Sequence, residues 1–183
     1  MQNRTRMMTL SAMMAALTAV GAFLRIPLGS MSLTLQFFFT ALSGVLLGPR
    51  WGAASQAVYV VLGLAGLPIF TMGGGPGYLL QPSFGFLLGL IPAAALAGAL
   101  SRGEPGGSRI FLAGAAGLGT LYLIGLPYLF FLQNVYLGRG LPVGAVVAGG
   151  MLVYLPGDAL KLVVLAVVCP PLRRALKRSA GGG

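Results

Sequence analysis

Two residues in this sequence carry ionisable chemistry in a place where it is costly: Asp158 and Lys161, within Pro156-Gly157-Asp158-Ala159-Leu160-Lys161 and followed by apolar sequence. Proline suits the first turn of a helix, and an acid near a helix N-terminus is favoured by the helix dipole. The stretch therefore predicts a helix start, with Asp158 and Lys161 three apart on one face. Each ion in an apolar membrane segment costs roughly 2.5 to 3.5 kcal/mol near the bilayer centre, and less towards the interface. Intramembrane ions of this kind mark substrate or ion paths; the competing reading is a self-neutralising pair that locks helices together. As the polar end of a cavity, the pair offers one acceptor and one donor to a ligand carrying both.

Arg25 closes the first apolar run. It is either an interfacial anchor or a guanidinium fork for an anionic carboxylate. Gln36, Gln81, Gln133 and Asn134 are further polar candidates, each taken singly better suited to helix–helix hydrogen bonding. Other chemistries are excluded by composition. The 183 residues contain no histidine, one cysteine (Cys169) and two acids (Asp158 and Glu104). An intrachain disulfide, a His/Cys metal site and a Ser-His-Asp triad are all out of reach. No Walker A sequence is present, so ATP is not hydrolysed by that route. No cofactor and no metal are expected, and no cluster of acids and bases supports an enzyme.

The elements that must position these residues are membrane helices. Hydrophobic residues make up 57% of the chain and charged ones 8%, against roughly 25% charged in an ordinary soluble domain. The expected fold is all-α, a compact bundle of about six transmembrane helices forming a single domain over residues 1–183. Candidate spans lie near 7–24, 33–48, 51–66, 83–100, 110–132 and 155–172. The second and third are short for a bilayer and are joined by a hairpin at Gly48-Pro49-Arg50-Trp51-Gly52. Segment 141–153, rather short to cross alone, reads as an outer-side re-entrant or interfacial helix; were it instead continuous with 155–172 as one kinked helix, the even number of spans would stand. The N-terminal run from Met7 to Leu24 imitates a secretory signal but is long enough to span, and is expected to be retained.

The net charge of +10 is read as a topology signal, with no nucleic-acid partner. Alternate loops divide the cations unevenly. One side receives Arg4, Arg6, Arg50, Arg102, Arg109, Arg173, Arg174, Lys177 and Arg178, and the other receives Arg25 and Arg139. The asymmetry predicts both termini in the cytoplasm and a multi-pass protein of the cell membrane. On the outer side, residues 66–85 form an uncharged, glycine-rich loop whose Tyr78, Leu79, Leu80 and Phe84 disfavour water, which suits a lid over a cavity better than a tether. Helix 1 carries small residues at four-residue spacing, Ser11, Ala15 and Ala19 on one line with Ala12 and Ala16 beside it. These serve packing within the bundle or docking of a partner, and spacing alone leaves both open.

Taken in order, several segments resemble the BioY family, the biotin-specific substrate-binding components (S components) of energy-coupling-factor (ECF) transporters. They are Arg25-Ile26-Pro27-Leu28-Gly29, Thr34-Leu35-Gln36, Leu46-Leu47-Gly48-Pro49-Arg50-Trp51-Gly52, Gly66-Leu67-Pro68-Ile69-Phe70, Gly73 to Tyr78, Pro82 to Gly89, and Pro156 to Lys161. The resemblance covers nearly the whole chain. It implies a subunit that captures biotin from outside and delivers it inward, with a transmembrane coupling protein and cytosolic ATPase subunits as partners. It further implies that Asp158 and Lys161 contact the polar part of biotin. Gly75, Gly77 and Tyr78 would cover the pocket, with Pro82 to Phe86 lining it, and Ala12 and Ala16 would face the coupling protein. Tyr78, Phe84, Phe86 and Tyr154 could supply apolar walls. Phe84-Gly85-Phe86 departs from the Gly-Gly-Tyr expected in the family, adding bulk and removing a hydroxyl. An S component for another vitamin, or a membrane enzyme, are the alternatives.

Overall fold

Where α1 (Gln2–Phe23) ends, the chain turns into a two-stranded antiparallel hairpin, β1 (Arg25–Leu28) and β2 (Met31–Thr34). The computed structural model describes residues 2–28, 31–103 and 105–181; Gly29, Glu104 and the side chains of Lys177 and Arg178 lie outside it. The hairpin corrects the all-α expectation. The second helical segment starts at Gln36 and not at residue 33. Residues 31–34 pair instead with 25–28, Arg25 opposite Thr34 and Ile26 opposite Leu33. The Thr34 hydroxyl then accepts the Gln36 N–H at 3.3 Å, a local side-chain turn just before the helix.

The next element, α2 (Gln36–Leu64), is broken at Gly48, where φ is 83° and Pro49 follows. A left-handed φ of that kind is accessible to glycine. Its two arms, 36–47 and 49–64, fold back on each other, as Gly52 shows: a Cβ there would stand 2.6 Å from the Gly44 Cα. The hairpin expected from Gly48-Pro49 is present. A loop with a short 3-10 turn (Pro76–Leu80) leads to α3 (Phe84–Leu100), and α4 (Gly107–Phe131) extends through a π-turn, Leu132–Tyr136.

Segment 141–153 is joined to the last helix. Helix α5 (Val143–Val147) passes through a second π-turn (Ala148–Leu152) into α6 (Leu155–Gly181), with Val153 N–H bonded to the Ala148 carbonyl and Asp158 N–H to that of Tyr154. This corrects the reading of 141–153 as a separate re-entrant or interfacial helix: the π-turn carries its hydrogen bonding on into α6, and Val143–Leu176 is one kinked helical run. Among the described residues, three helical runs are long and apolar enough to cross a membrane, Arg4–Phe23, Gly107–Tyr136 and Val143–Leu176, and Phe84–Leu100 is a shorter apolar helix.

The two ends of the bundle differ. At one, Arg6 donates to the Leu176 carbonyl at 2.8 Å, tying the start of α1 to the late part of α6. Arg173 and Arg109 there donate to the Ser101 and Leu100 carbonyls at the end of α3. At the other end lie the β-hairpin, the 65–83 loop and the 137–142 turn. Between them, α1 and the two arms of α2 meet around Gln56, which is wholly buried. Its amide nitrogen, with two N–H donors, stands 3.0 to 3.2 Å from the Thr18, Ser43 and Ser55 hydroxyls, and its amide oxygen accepts from Thr40 at 2.9 Å.

Candidate functional site

Helix α6 opens with Pro156 in its first turn, which places Asp158 one residue past Gly157 and Lys161 one turn further along. Both are buried, at 5% and 8% exposure. The Lys161 Nζ stands 2.6 Å from Asp158 Oδ1, and this is the ion pair found among the described residues. The second carboxylate oxygen, Oδ2, accepts a hydrogen bond of 2.5 Å from the hydroxyl of Tyr122 on α4. Gly157 has its own reason: a Cβ there would stand 2.8 Å from a methyl of Leu33. The missing side chain lets β2 rest against the start of α6, directly above the charged pair.

The pair faces a cavity of about 350 Å³, within the range of small-molecule sites, roughly 300 to 1,000 Å³. Its walls are drawn from most of the chain. The hairpin contributes Arg25, Pro27, Ser32, Leu33 and Thr34; α2 contributes Gln36 and Phe37; α3 contributes Phe86, Leu87 and Leu90; α4 contributes Leu121 and Tyr122; Gly150 and Tyr154 join Asp158 and Lys161. The loop adds Thr71, Met72, Tyr78, Gln81 and Ser83. The lining is thus mainly apolar, with charge at two places, the Asp158–Lys161 pair and Arg25.

The loop is fastened down. Phe70 is fully buried, with its ring centroid 5.4 Å from that of Tyr59 and 4.6 Å from that of Tyr78. Gly63 makes this possible, because a Cβ there would stand 2.1 Å from a carbon of the Phe70 ring. Tyr78 shares hydrogen bonds with the hydroxyls of Thr71 at 2.8 Å and Ser83 at 3.4 Å. Arg25 reaches across from the hairpin and donates to the Thr71 carbonyl. Gln36 is held as well, accepting from Thr34 and donating to the Tyr59 hydroxyl at 2.8 Å, which in turn donates to the Ile69 carbonyl.

Of the residues expected at the site, Asp158, Lys161, Tyr154, Tyr78, Phe86, Gln36 and Arg25 line this one cavity. Gly75 and Gly77 do not. Gly75, at φ 97°, shapes the loop and bonds its N–H to the Gly63 carbonyl at 2.7 Å. Phe84 also departs from the expectation that it lines the pocket, packing against Tyr128 with centroids 5.8 Å apart. Two residues apart on a helix, Phe84 and Phe86 point to different sides, and only Phe86 shares the cavity face with Leu90. Gln81 lines the cavity, whereas Asn134 exchanges two hydrogen bonds with Leu141 and closes the 137–142 turn. Gln133 is buried at the end of α4. On α1, Ser11 and Ala15 are buried while Ala12 and Ala16 are exposed.

Tyr122 is the residue that sequence reasoning missed. Nothing in its apolar surroundings separates it from Tyr128 or Tyr136; its role rests on a contact with a residue 36 positions away.

The helical bundle holds a cavity of small-molecule size with a charged pair and an arginine in its wall, the form of a ligand-binding site. The structure aligns with a crystal structure of "the S-component for biotin from an ECF-type ABC transporter" at TM-score 0.82 and 26% identity, covering 94% of this chain and 93% of that one. The BioY family model matches residues 1–178, and the chain belongs to the BioY family. The "Biotin transporter BioY" of Thermotoga maritima is 34% identical over 170 residues, covering 92% of this chain and 96% of that protein. The "Probable biotin transporter BioY" of Lysinibacillus sphaericus is 47% identical over 138 residues, 74% of this chain and 70% of that one. This chain is a membrane protein with a mostly helical S-component fold.

Proposed function

We propose that this chain is the biotin-binding substrate-specificity subunit of an importer and not an enzyme. The observation that carries the reading is the cavity of about 350 Å³ that holds the buried Asp158–Lys161 pair and Arg25, in a member of a biotin transporter family. Biotin presents ureido N–H donors, a ureido carbonyl, an apolar thioether ring and a carboxylate tail. A carboxylate accepts from N–H groups, an ammonium donates to oxygen, and a guanidinium suits a carboxylate. Phe86, Tyr78, Tyr154 and Gln36 supply the surrounding wall, with Gly75 and Gly77 shaping the loop that covers it.

In this reading six helical segments cross the bilayer of the cell membrane, the two arms of α2 counting separately and α5 with α6 as one. The arginine-rich end, with both termini, faces the cytoplasm, and the hairpin and loop face outward. The exposed Ala12 and Ala16 on α1 form the face for a transmembrane coupling protein, through which cytosolic ATPase subunits supply the energy.

Equilibrium binding of biotin to the purified, detergent-solubilised chain tests this, with thiamine and riboflavin as competitors. Tight, biotin-selective binding without ATP is expected. No binding by folded protein discards biotin as the ligand.

A further inference from the structure

The pair Asp158–Lys161 is built with a third member, and that member has a support of its own. Tyr122 is 7% exposed, and its hydroxyl donates to Asp158 Oδ2 at 2.5 Å while Lys161 holds Oδ1 at 2.6 Å. Behind Tyr122 stands Phe86, edge to face, with ring centroids 6.2 Å apart and planes at 88°. Behind Phe86 is Gly125, where a Cβ would stand only 2.4 Å from a carbon of the Phe86 ring. From this array we infer that Tyr122 is the positioning residue that fixes the plane of the Asp158 carboxylate, and that Phe86, seated against Gly125, sets Tyr122. The inference rests on the reading of the cavity as a biotin site.

The physical case turns on how many fixed donors a carboxylate has. A lysine ammonium rides on a flexible four-carbon stem and follows the oxygen it is bonded to. Lys161 alone therefore leaves Asp158 free to rotate about its side-chain torsions and still keep its ion pair. A phenol is different: its hydroxyl is carried on a rigid ring, and here that ring is held by α4 on one side and by Phe86 on the other. With the two oxygens bonded to donors on two different helices, the carboxylate has one orientation. Each oxygen retains further acceptor capacity, which that orientation aims at a fixed place in the cavity. A ligand N–H meets a pre-set acceptor and does not have to order one on binding.

Phe86 presents only ring carbons and hydrogens to Tyr122. Positions 86, 122, 125 and 158 thus act as one unit, though they come from three different helices.

The test is a binding cycle with purified full-length protein and biotin as the probe. Tyr122→Phe keeps the ring and removes the donor, and is expected to raise the biotin Kd roughly ten- to a hundredfold, as for loss of a hydrogen bond to a charged group. In an Asp158→Asn background the same change is expected to alter Kd less than about twofold, because the group it positions is no longer a carboxylate. An analogue methylated on one ureido nitrogen adds a readout that a purely structural role does not move. Wild type should discriminate biotin from it more strongly than Tyr122→Phe does, with both proteins melting at similar temperatures. Phe86→Leu is the second variant, and should weaken binding in the same direction while leaving the hydroxyl in place. Unchanged biotin affinity in Tyr122→Phe overturns the positioning role alone, as does an equal loss with and without the Asp158 carboxylate. Absence of biotin binding by folded wild type overturns the reading of the site and this inference with it.

Discussion

Two clusters of buried polar side chains sit inside the same apolar bundle, and they are built to opposite ends. Around Gln56 an amide, two threonines and two serines satisfy one another, joining α1 to both arms of α2. Each hydroxyl also donates to a carbonyl of its own helix or to Gln56 itself, and Gln56 does not line the cavity that holds Asp158. Around Asp158 two of the three members carry charge, they are bonded at 2.5 to 2.6 Å, and all three line the cavity. Burial of polar groups is common to both, so burial is not what makes a site. Placement at a cavity is what separates them: the Gln56 cluster uses its donors within itself, while the Lys161 ammonium and the Asp158 carboxylate line the cavity and can each take a further partner there.

The largest effect that could break this contrast is expected at Lys161. Lys161→Ala leaves Asp158 buried without its cation, and removing one partner of such a pair costs on the order of 3 to 5 kcal/mol. If the pair serves binding, biotin affinity should fall by at least roughly a hundredfold, read by calorimetry, while size exclusion still shows an inserted, monodisperse protein. Misfolding without a folded, non-binding species would put the pair in the same structural class as Gln56.

Next in size is Gly63→Ala. It displaces Phe70 from beneath the loop, an overpacking of about 1 to 3 kcal/mol. Weaker biotin binding together with faster proteolysis within residues 66–83 is expected, and would extend the site's side of the contrast to the loop. Unchanged binding would confine the site to the helices.

Gln56→Leu probes the other cluster. Interhelical hydrogen bonds in membranes contribute about 0.6 kcal/mol on average and up to about 1.7, so the thermal midpoint should fall modestly while the biotin Kd stays within about twofold. A selective loss of binding would show that the two clusters are coupled through Thr40 and Gln36.

The smallest effect is expected at Arg25, which is exposed. Arg25→Lys keeps the charge and loses the fork, which at a solvent-screened position is worth under about 1 kcal/mol. A few-fold rise in the biotin Kd is expected, and no change with biotinamide, which lacks the anionic carboxylate. Equal losses with both ligands would reduce Arg25 to its bond with the Thr71 carbonyl.

Composition and spacing by themselves determined the membrane environment, the hairpin at Gly48-Pro49, the approximate helical segments, the docked loop and the shared face of Asp158 and Lys161. These are local properties: hydropathy, a proline and a glycine, a three-residue offset on a helix. Tertiary structure alone decided the rest. The β-hairpin at 25–34 gave little local signal, because four-residue strands pair through each other and not through their own pattern. The joining of 143–153 to α6 depended on how the π-turn carried the helix on. On α1, one line of small residues turned inward and its neighbour outward only once α2 had packed against one of them. Phe86 entered the cavity while Phe84 did not, and Tyr122 was drawn to Asp158 across 36 residues, since a site assembled from several helices is a property of their packing and has no counterpart in the order of residues along the chain.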